Sequence, residues 1–337
     1  MKRSQLGNVL GRETVDRRRF LAIGVGAFVV GGLPVVVSRT RAVQVTRRTI
    51  PVMGTIADFA VVHHDVAVAG QAIDAAIAEL RFVDATMSRF NHASEIGRAN
   101  SDAARAAVAI GAPTAAVVSE ALRWAHATDG AYDPAIGGAI ELWDVERRHE
   151  PPPTRDRLAF AGRNLFRQVE LDGFRGRPHL RFHDAGIRVD LGAIAKGYAV
   201  DRAVDALRRH GITKAVVDAG GDLYALGTAA DNEPWQIGIQ SPDDERALAG
   251  MLTATDVAIA TSGTYRQFFK YRGVRYHHLL DPDTAAPRQT SVRSYTVRAD
   301  SCMHADVAAT ALYGRPAADA NRILARLAPG AAVDRIL

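Results

Sequence analysis

From Val66 to Met87, apolar residues recur at three- and four-residue steps (Ala69, Ile73, Ala76, Ile77, Leu80, Val83), which predicts a long helix with one buried face. A second helical run, Thr114–Thr128, follows Pro113 and stops before Gly130. Further helices are predicted from about Ile194 to Arg209, around Ala305–Tyr313 and over Ala317–Leu327. The polar stretch Ser88–Asn100 predicts a loop, and Ile136-Gly-Gly-Ala-Ile140 a glycine-rich turn after Tyr132-Asp133-Pro134. Extended chain is predicted for Val43–Val62 around Met53-Gly54-Thr55. Strands are predicted at Gln168–Leu171, Leu180–Asp190, Ala215–Val217, Leu223–Gly227, Trp235–Gln240, Met251–Ala260 and Ser294–Arg298. Long helices beside a mostly antiparallel sheet make the fold class α+β rather than doubly wound α/β. Strand order does not follow from this pattern.

At 337 residues the chain can bury a large core as one domain or two, and Glu150-Pro-Pro-Pro153 is the best candidate for an internal boundary. The formal charge is +5, but residues 1–42 hold eight basic and two acidic residues, a net +6, so the remainder carries −1. The basic character belongs to the leader, which argues against nucleic acid as a partner. Within that leader, Arg17-Arg18-Arg19-Phe20-Leu21 matches a twin-arginine export signal, followed by a weakly apolar stretch from Leu21 to Val37. Its glycines and Pro34 make it poor material for a permanent membrane span. The expectation is therefore a leader over residues 1–42 and a domain over 43–337. That domain would be exported to the periplasm or the outer face of the cytoplasmic membrane, with inner-membrane association open. Thr40-Arg41-Ala42 is only a weak cleavage site, so a retained leader also stays open. The single cysteine, Cys302, excludes an internal disulfide.

The candidate chemistry lies in two segments. Asp190-Leu-Gly-Ala-Ile-Ala-Lys-Gly-Tyr198 leads into a helix and then Val217-Asp-Ala-Gly-Gly-Asp222, and Ser301-Cys-Met-His-Ala-Asp306-Val-Ala-Ala-Thr310 follows near the end. Asp306 and Thr310, four apart, would project from one helix face, a carboxylate and a hydroxyl suited to a hard oxygen-loving cation; a solvated helix face is the alternative. Asp190 either caps the following helix or serves the site. Lys196 is one of only four lysines. Neither a P-loop nor a Gly-x-Gly-x-x-Gly cradle is present. A Ser262, His278 and Asp281 hydrolase lacks the nucleophile elbow, and the histidine pairs do not have zinc spacing.

Eight segments, in order, carry a resemblance to a known family. They begin with Met53-Gly54-Thr55, Met87-Ser88-Arg89-Phe90 with Ser94-Glu95, and Gly130-Ala-Tyr-Asp-Pro134 with Leu142-Trp143. They continue with Asp190 to Tyr198, Ala219-Gly-Gly-Asp222, Thr261-Ser-Gly263, His278-Leu-Leu-Asp-Pro282 and Ala305-Asp306 to Thr310. Together they resemble the ApbE family of FAD:protein FMN transferases, whose architecture is α+β and T-fold-like. The resemblance implies Mg²⁺-dependent cleavage of the FAD diphosphate, release of AMP and attachment of FMN to a threonine of an electron-transfer flavoprotein subunit. It implies that Met53, Phe90, Ala131, Tyr132, Asp133, Asp190, Lys196 and Leu279 surround FAD, and that Ala193 (carbonyl), Asp306 and Thr310 hold Mg²⁺. It also gives Asp306 and His278 candidate catalytic roles: Asp306 in deprotonating the threonine or purely as a metal ligand, His278 in a phosphate contact, a proton transfer or a structural bond. Two departures stand out: Phe90 where tyrosine is common, and Thr284-Ala-Ala-Pro287 in place of Thr-Gly-x-Pro, where Ala285 would be restricted if its φ were positive. An FAD pyrophosphatase and a non-catalytic, exported flavin-binding protein are the alternatives.

Overall fold

The structure is a computed structural model that describes residues 28–30 and 43–337, apart from Arg175 and Glu245. The twin-arginine motif and the cleavage site fall outside the described residues.

Its centre is a seven-stranded, wholly antiparallel sheet in the order Ala332–Ile336, Ser294–Ala299, Val257–Gly263, Asp222–Leu226, Ala215–Ala219, Thr55–His63, Gln44–Val52. Alternation along the inner strands sends successive side chains to opposite faces. Val217, Tyr224 and Ala258 join the main core, whereas Val216, Leu223 and Ile259 join a second one. Over the first face pack helices Val66–Met87, Ala195–Arg209 and Cys302–Ala311. Over the second lies a three-stranded sheet in which Trp235–Gln240 pairs with Leu248–Ala254 and with Phe28–Val30. A third cluster, around Trp143, Phe269 and Leu280, ties helix Gly137–Trp143 to the hairpin Phe268–Tyr271/Val274–His277. Trp143 stacks on Tyr276 at 5.6 Å and donates its indole N–H to the Ala285 carbonyl at 2.7 Å. Core residues come from both sides of residue 150.

The α+β class holds, and four local expectations are corrected. Within the predicted 88–100 loop, a helix begins at Glu95 and runs to Asp102, because the Ser94 hydroxyl caps it by accepting from the Gly97 N–H at 2.8 Å. The glycine-rich "turn" 136–140 is the start of helix Gly137–Trp143, its first glycine lying where a Cβ would meet the Arg188 carbonyl at 2.5 Å. The strand expected over Met251–Ala260 is two strands, Leu248–Ala254 and Val257–Gly263. They are broken at Asp256, whose φ of 49° reverses the chain and whose carboxylate accepts from the Gly227 N–H. The strand expected over 180–190 ends at Phe182, where the chain leaves the ladder for a turn built on Asp184.

Candidate functional site

The site forms where the N-terminus of helix Ala195–Arg209 crosses helix Cys302–Ala311 over the central strands of the main sheet. The crossing is close because residue 197 is glycine: a Cβ there would lie 2.2 Å from the Cys302 carbonyl oxygen and 2.8 Å from the Asp306 Cβ. It is also tied electrostatically. Asp201, on the first helix, accepts from the Cys302 and Met303 N–H groups at 2.7 and 2.9 Å and from the Ser301 hydroxyl at 2.7 Å, so one helix caps the other.

At this crossing Lys196 Nζ donates to Asp222 Oδ2 at 2.6 Å and lies 3.5 Å from both carboxylate oxygens of Asp306. It also reaches the Gly192 carbonyl at 3.2 Å. Asp222 and Asp306 are both buried. Burial pushes the Asp306 carboxyl well above the ordinary carboxylate range, the Asp222 charge adds to this, and Lys196 partly offsets it. Burial alone would lower Lys196, but the charges of Asp222 and Asp306 more than compensate and hold the ammonium above the ordinary lysine range. The lysine therefore stays charged between two carboxylates.

The Asp306 helix face predicted from the sequence is present. Thr310 Oγ1 sits 3.0 Å from Ser262 Oγ, and the Gly197 N–H donates to Asp306 Oδ2 at 3.0 Å. In an uninterrupted helix that N–H would go to the Ala193 carbonyl; here the carbonyl is left available as an acceptor. Among the described residues no group of three His, Cys, Asp or Glu side chains is arranged to hold a metal ion. The donors available to a hard cation are therefore one carboxylate, one hydroxyl and one carbonyl oxygen.

Around this centre stand the other predicted residues. Asp190 accepts from Arg89 Nε at 2.7 Å and from the Gly192 N–H at 2.7 Å, so it anchors the turn and holds Arg89 beside it. Phe90 is 77% exposed with the Arg89 guanidinium 4.0 Å from its ring centroid, an aromatic face held out at the surface. Met53 occupies a two-residue hairpin turn with φ of 54°, followed by Gly54 at 67°, and its N–H reaches Asp84 at 3.3 Å. Positive φ at a methionine is strained and marks a position held by its surroundings.

The 131–133 turn divides in role. The Asp133 carboxylate is occupied by the Ala135 and Phe166 N–H groups at 2.8 and 3.3 Å, which makes it a clamp. The Tyr132 hydroxyl is buried with no hydrogen-bond partner; burial, then the charges of Asp190, Asp306 and Asp133, pushes its pKa up. Leu279 is buried beside His278. His278 Nδ1 points to the Gln267 carbonyl at 3.4 Å, and burial lowers its pKa to about 4, so the ring is neutral.

Four residues with roles here were not singled out as site residues from the sequence. Asp222, the tightest partner of Lys196, sat in view after Gly220-Gly221 but carried no spacing signal. The Ser262 hydroxyl, the nucleophile of the hydrolase alternative, meets Thr310 and not His278. Arg89 is the ion-pair partner of Asp190. Arg288 sends its guanidinium to the carbonyls of Ala131, Leu280 and Tyr313, bridging three segments far apart in sequence. The positive φ anticipated at Ala285 is present, at 47°.

The model of the ApbE family matches residues 53–333. A Treponema pallidum protein named FAD:protein FMN transferase is 36% identical over 233 residues, covering 65% of this chain and 64% of that protein. A Vibrio cholerae protein of the same name is 36% identical over 253 residues, covering 72% and 75%. Among solved structures, the ApbE protein of Thermotoga maritima superposes with a TM-score of 0.76 at 26% identity, covering 87% of this chain and 97% of that one. The flavin transferase ApbE of Vibrio cholerae gives 0.72 at 31% identity, covering 84% and 91%.

Proposed function

This chain belongs to the ApbE family, and from that membership we propose that it is an exported FAD:protein FMN transferase, its domain spanning residues 43–337, that moves FMN from FAD to a threonine hydroxyl of a partner flavoprotein and releases AMP. The observation that carries the reading is the charged lysine held between two buried carboxylates, next to the Asp306–Thr310 helix face. Burying two acids around one lysine is costly unless every member is engaged.

Asp306, Thr310 and the Ala193 carbonyl would hold Mg²⁺. The fit is chemical: all three donors are oxygens, and the displaced Gly197 N–H frees the carbonyl. When bound, the ion supplies charge stabilisation to the diphosphate undergoing displacement. The chain's own residues do the rest. The Lys196 ammonium faces the diphosphate as a permanent cation, with Asp222 fixing its position. Phe90 offers an aromatic face to the isoalloxazine ring and Met53 a strained turn to the flavin edge. The Tyr132 hydroxyl, buried without a hydrogen-bond partner near the Asp190, Asp306 and Asp133 charges, is an uncommitted polar atom at this site. His278, with Nδ1 directed at the Gln267 carbonyl and the ring neutral, keeps Nε2 as a lone-pair acceptor for the threonine proton.

The test is mass spectrometry of an acceptor domain incubated with the protein, FAD and Mg²⁺. One covalent FMN on threonine, lost on chelation and abolished in Asp306→Ala with the fold retained, is the expected result. Free FMN and AMP without adduct would make the protein a pyrophosphatase, and intact FAD a flavin-binding protein. Near-normal transfer by Asp306→Ala would remove the metal assignment.

A further inference from the structure

Loop 282–285 joins two short paired strands, Leu280–Asp281 and Ala286–Pro287, and closes at Ala285 with its φ of 47°. The returning strand delivers Arg288 opposite Leu279. There the Arg288 N–H donates to the Leu279 carbonyl at 2.9 Å, and the Arg288 carbonyl lies 3.2 Å from His277 Nε2. The main chain of residue 288 is thus fixed against the segment that carries His278 and Leu279.

Its side chain reaches further. Nε donates to the Leu280 carbonyl at 3.2 Å, one terminal nitrogen to the Tyr313 carbonyl at 3.0 Å and the other to the Ala131 carbonyl. Each acceptor adjoins residues already placed at the site. Ala131 opens the turn that holds Tyr132 and Asp133, and Leu280 follows His278 and Leu279. Tyr313 lies just beyond helix Cys302–Ala311, which carries Asp306 and Thr310. A guanidinium is planar with its donors in fixed directions, so three simultaneous bonds fix three segments relative to one another. The Ala131 N–H and the Asp133 carboxylate bond to Thr128, Ala135 and Phe166, none of them in the His278 segment or the Asp306 helix. The tie between the turn and those two elements is made by Arg288.

Among the described residues no carboxylate forms an ion pair with Arg288, and three carbonyl dipoles meet its charge instead. Burial lowers its pKa, while the Asp281 charge acts the other way. Withdrawing the charge from water is costly, and the carbonyl bonds offset that cost only while all three segments stay in place.

We propose that Arg288 is a positioning residue for flavin binding. By holding the Ala131 carbonyl to the His278–Leu280 segment and to the end of the Asp306 helix, it sets the 131–133 turn in the place where FAD is taken. The inference rests on the flavin-transferase reading, in which that turn lies against FAD.

The experiment compares Arg288→Lys with the wild-type full chain in two measurements. Lysine keeps the positive charge but concentrates it at one nitrogen, which cannot span the three carbonyls. In flavin transfer to an acceptor domain at saturating Mg²⁺ with FAD varied, the KM for FAD is expected to rise about tenfold, the scale of one charge-assisted hydrogen bond, and kcat to change much less. Hydrogen exchange read by mass spectrometry, without flavin, should speed up over residues 128–136 and stay unchanged over helix Val66–Met87. A fall in kcat at unchanged KM, the mark of a smaller folded fraction, would overturn the role, as would unchanged exchange over 128–136. A wild-type chain inert toward FAD brings down the transferase reading and this inference with it. An active wild type and an unaltered KM in the variant sink this inference alone. Should Arg288→Lys not fold, Arg288→Gln goes through the same two measurements; loss of the fold in both makes the arginine purely structural and ends the proposal.

Discussion

Asp218, near the end of strand Ala215–Ala219 and shortly before Asp222, is an acid whose environment has a measurable consequence. Asp218 stands opposite Asp58 in the sheet and accepts from the Gly221 N–H at 2.9 Å. Burial, joined by the charges of Asp222 and Asp58, raises its pKa to about 7. Its folded pKa exceeds its unfolded value, so the native state holds the extra proton. The associated stability is complete below about pH 4 and is lost as pH rises through about 7. Asp218→Asn keeps an oxygen for Gly221 and has no proton to lose. Thermal unfolding followed from pH 4 to 8 should therefore show the variant close to wild type at the acid end and more stable at pH 8; parallel profiles would refute the assignment. Asp306 is raised in the same direction, which means that protons compete with any cation there and affinity for Mg²⁺ should fall on acidification.

At the scale of elements, the site depends on how closely two helices cross. Asp201 supplies the N-terminal cap for helix Cys302–Ala311 from the neighbouring helix, and Gly197 removes the side chain that would hold them apart. Gly197→Ala would improve intrinsic helix propensity, which favours the variant by up to ~1 kcal/mol. Steric conflict with the Cys302 carbonyl and Asp306 runs the other way, and overpacking of this kind costs about 1–3 kcal/mol. The backbone cannot yield cheaply, so the conflict wins. Chemical denaturation should show a net loss of about 1–2 kcal/mol, and flavin transfer should fall further than stability does because Lys196 and Asp306 are pushed apart. A variant as stable and as active as wild type would mean that the crossing tolerates a methyl group.

For the whole molecule, the leader and the folded domain make separate statements. Among the described residues no helix is long and apolar enough to cross a membrane. The basic charge is concentrated in residues 1–42, where Arg17 and Arg18 lie in the stretch that matches a twin-arginine export signal, and we propose that this stretch directs export. Replacing both with lysine keeps the charge and removes the motif. Fractionation should then find the protein retained in the cytoplasm with its domain folded, and undiminished export would show that another signal directs it.

The long helices and the antiparallel class were legible because each depends on local periodicity: Val66–Met87 and Ala317–Leu327 have the bounds that their apolar spacing predicts. The Glu95–Asp102 helix was not legible, since eight mostly polar residues carry little period and the Ser94 cap decides the matter. The break at Asp256 was hidden for a related reason: two abutting strands read as one until the chain is seen to reverse. By itself the sequence determined the helical faces, the Asp306–Thr310 pair on one of them, the concentration of basic charge in residues 1–42 and the ordered segments that identify the family. Only the tertiary structure decided that Asp222 is the partner of Lys196, that Ser262 faces Thr310, and that Arg288 joins three distant loops. Periodicity constrains neighbours along the chain, whereas these contacts join residues 26 (Lys196 and Asp222), 48 (Ser262 and Thr310) and 157 (Arg288 and Ala131) positions apart, through packing that no local pattern encodes.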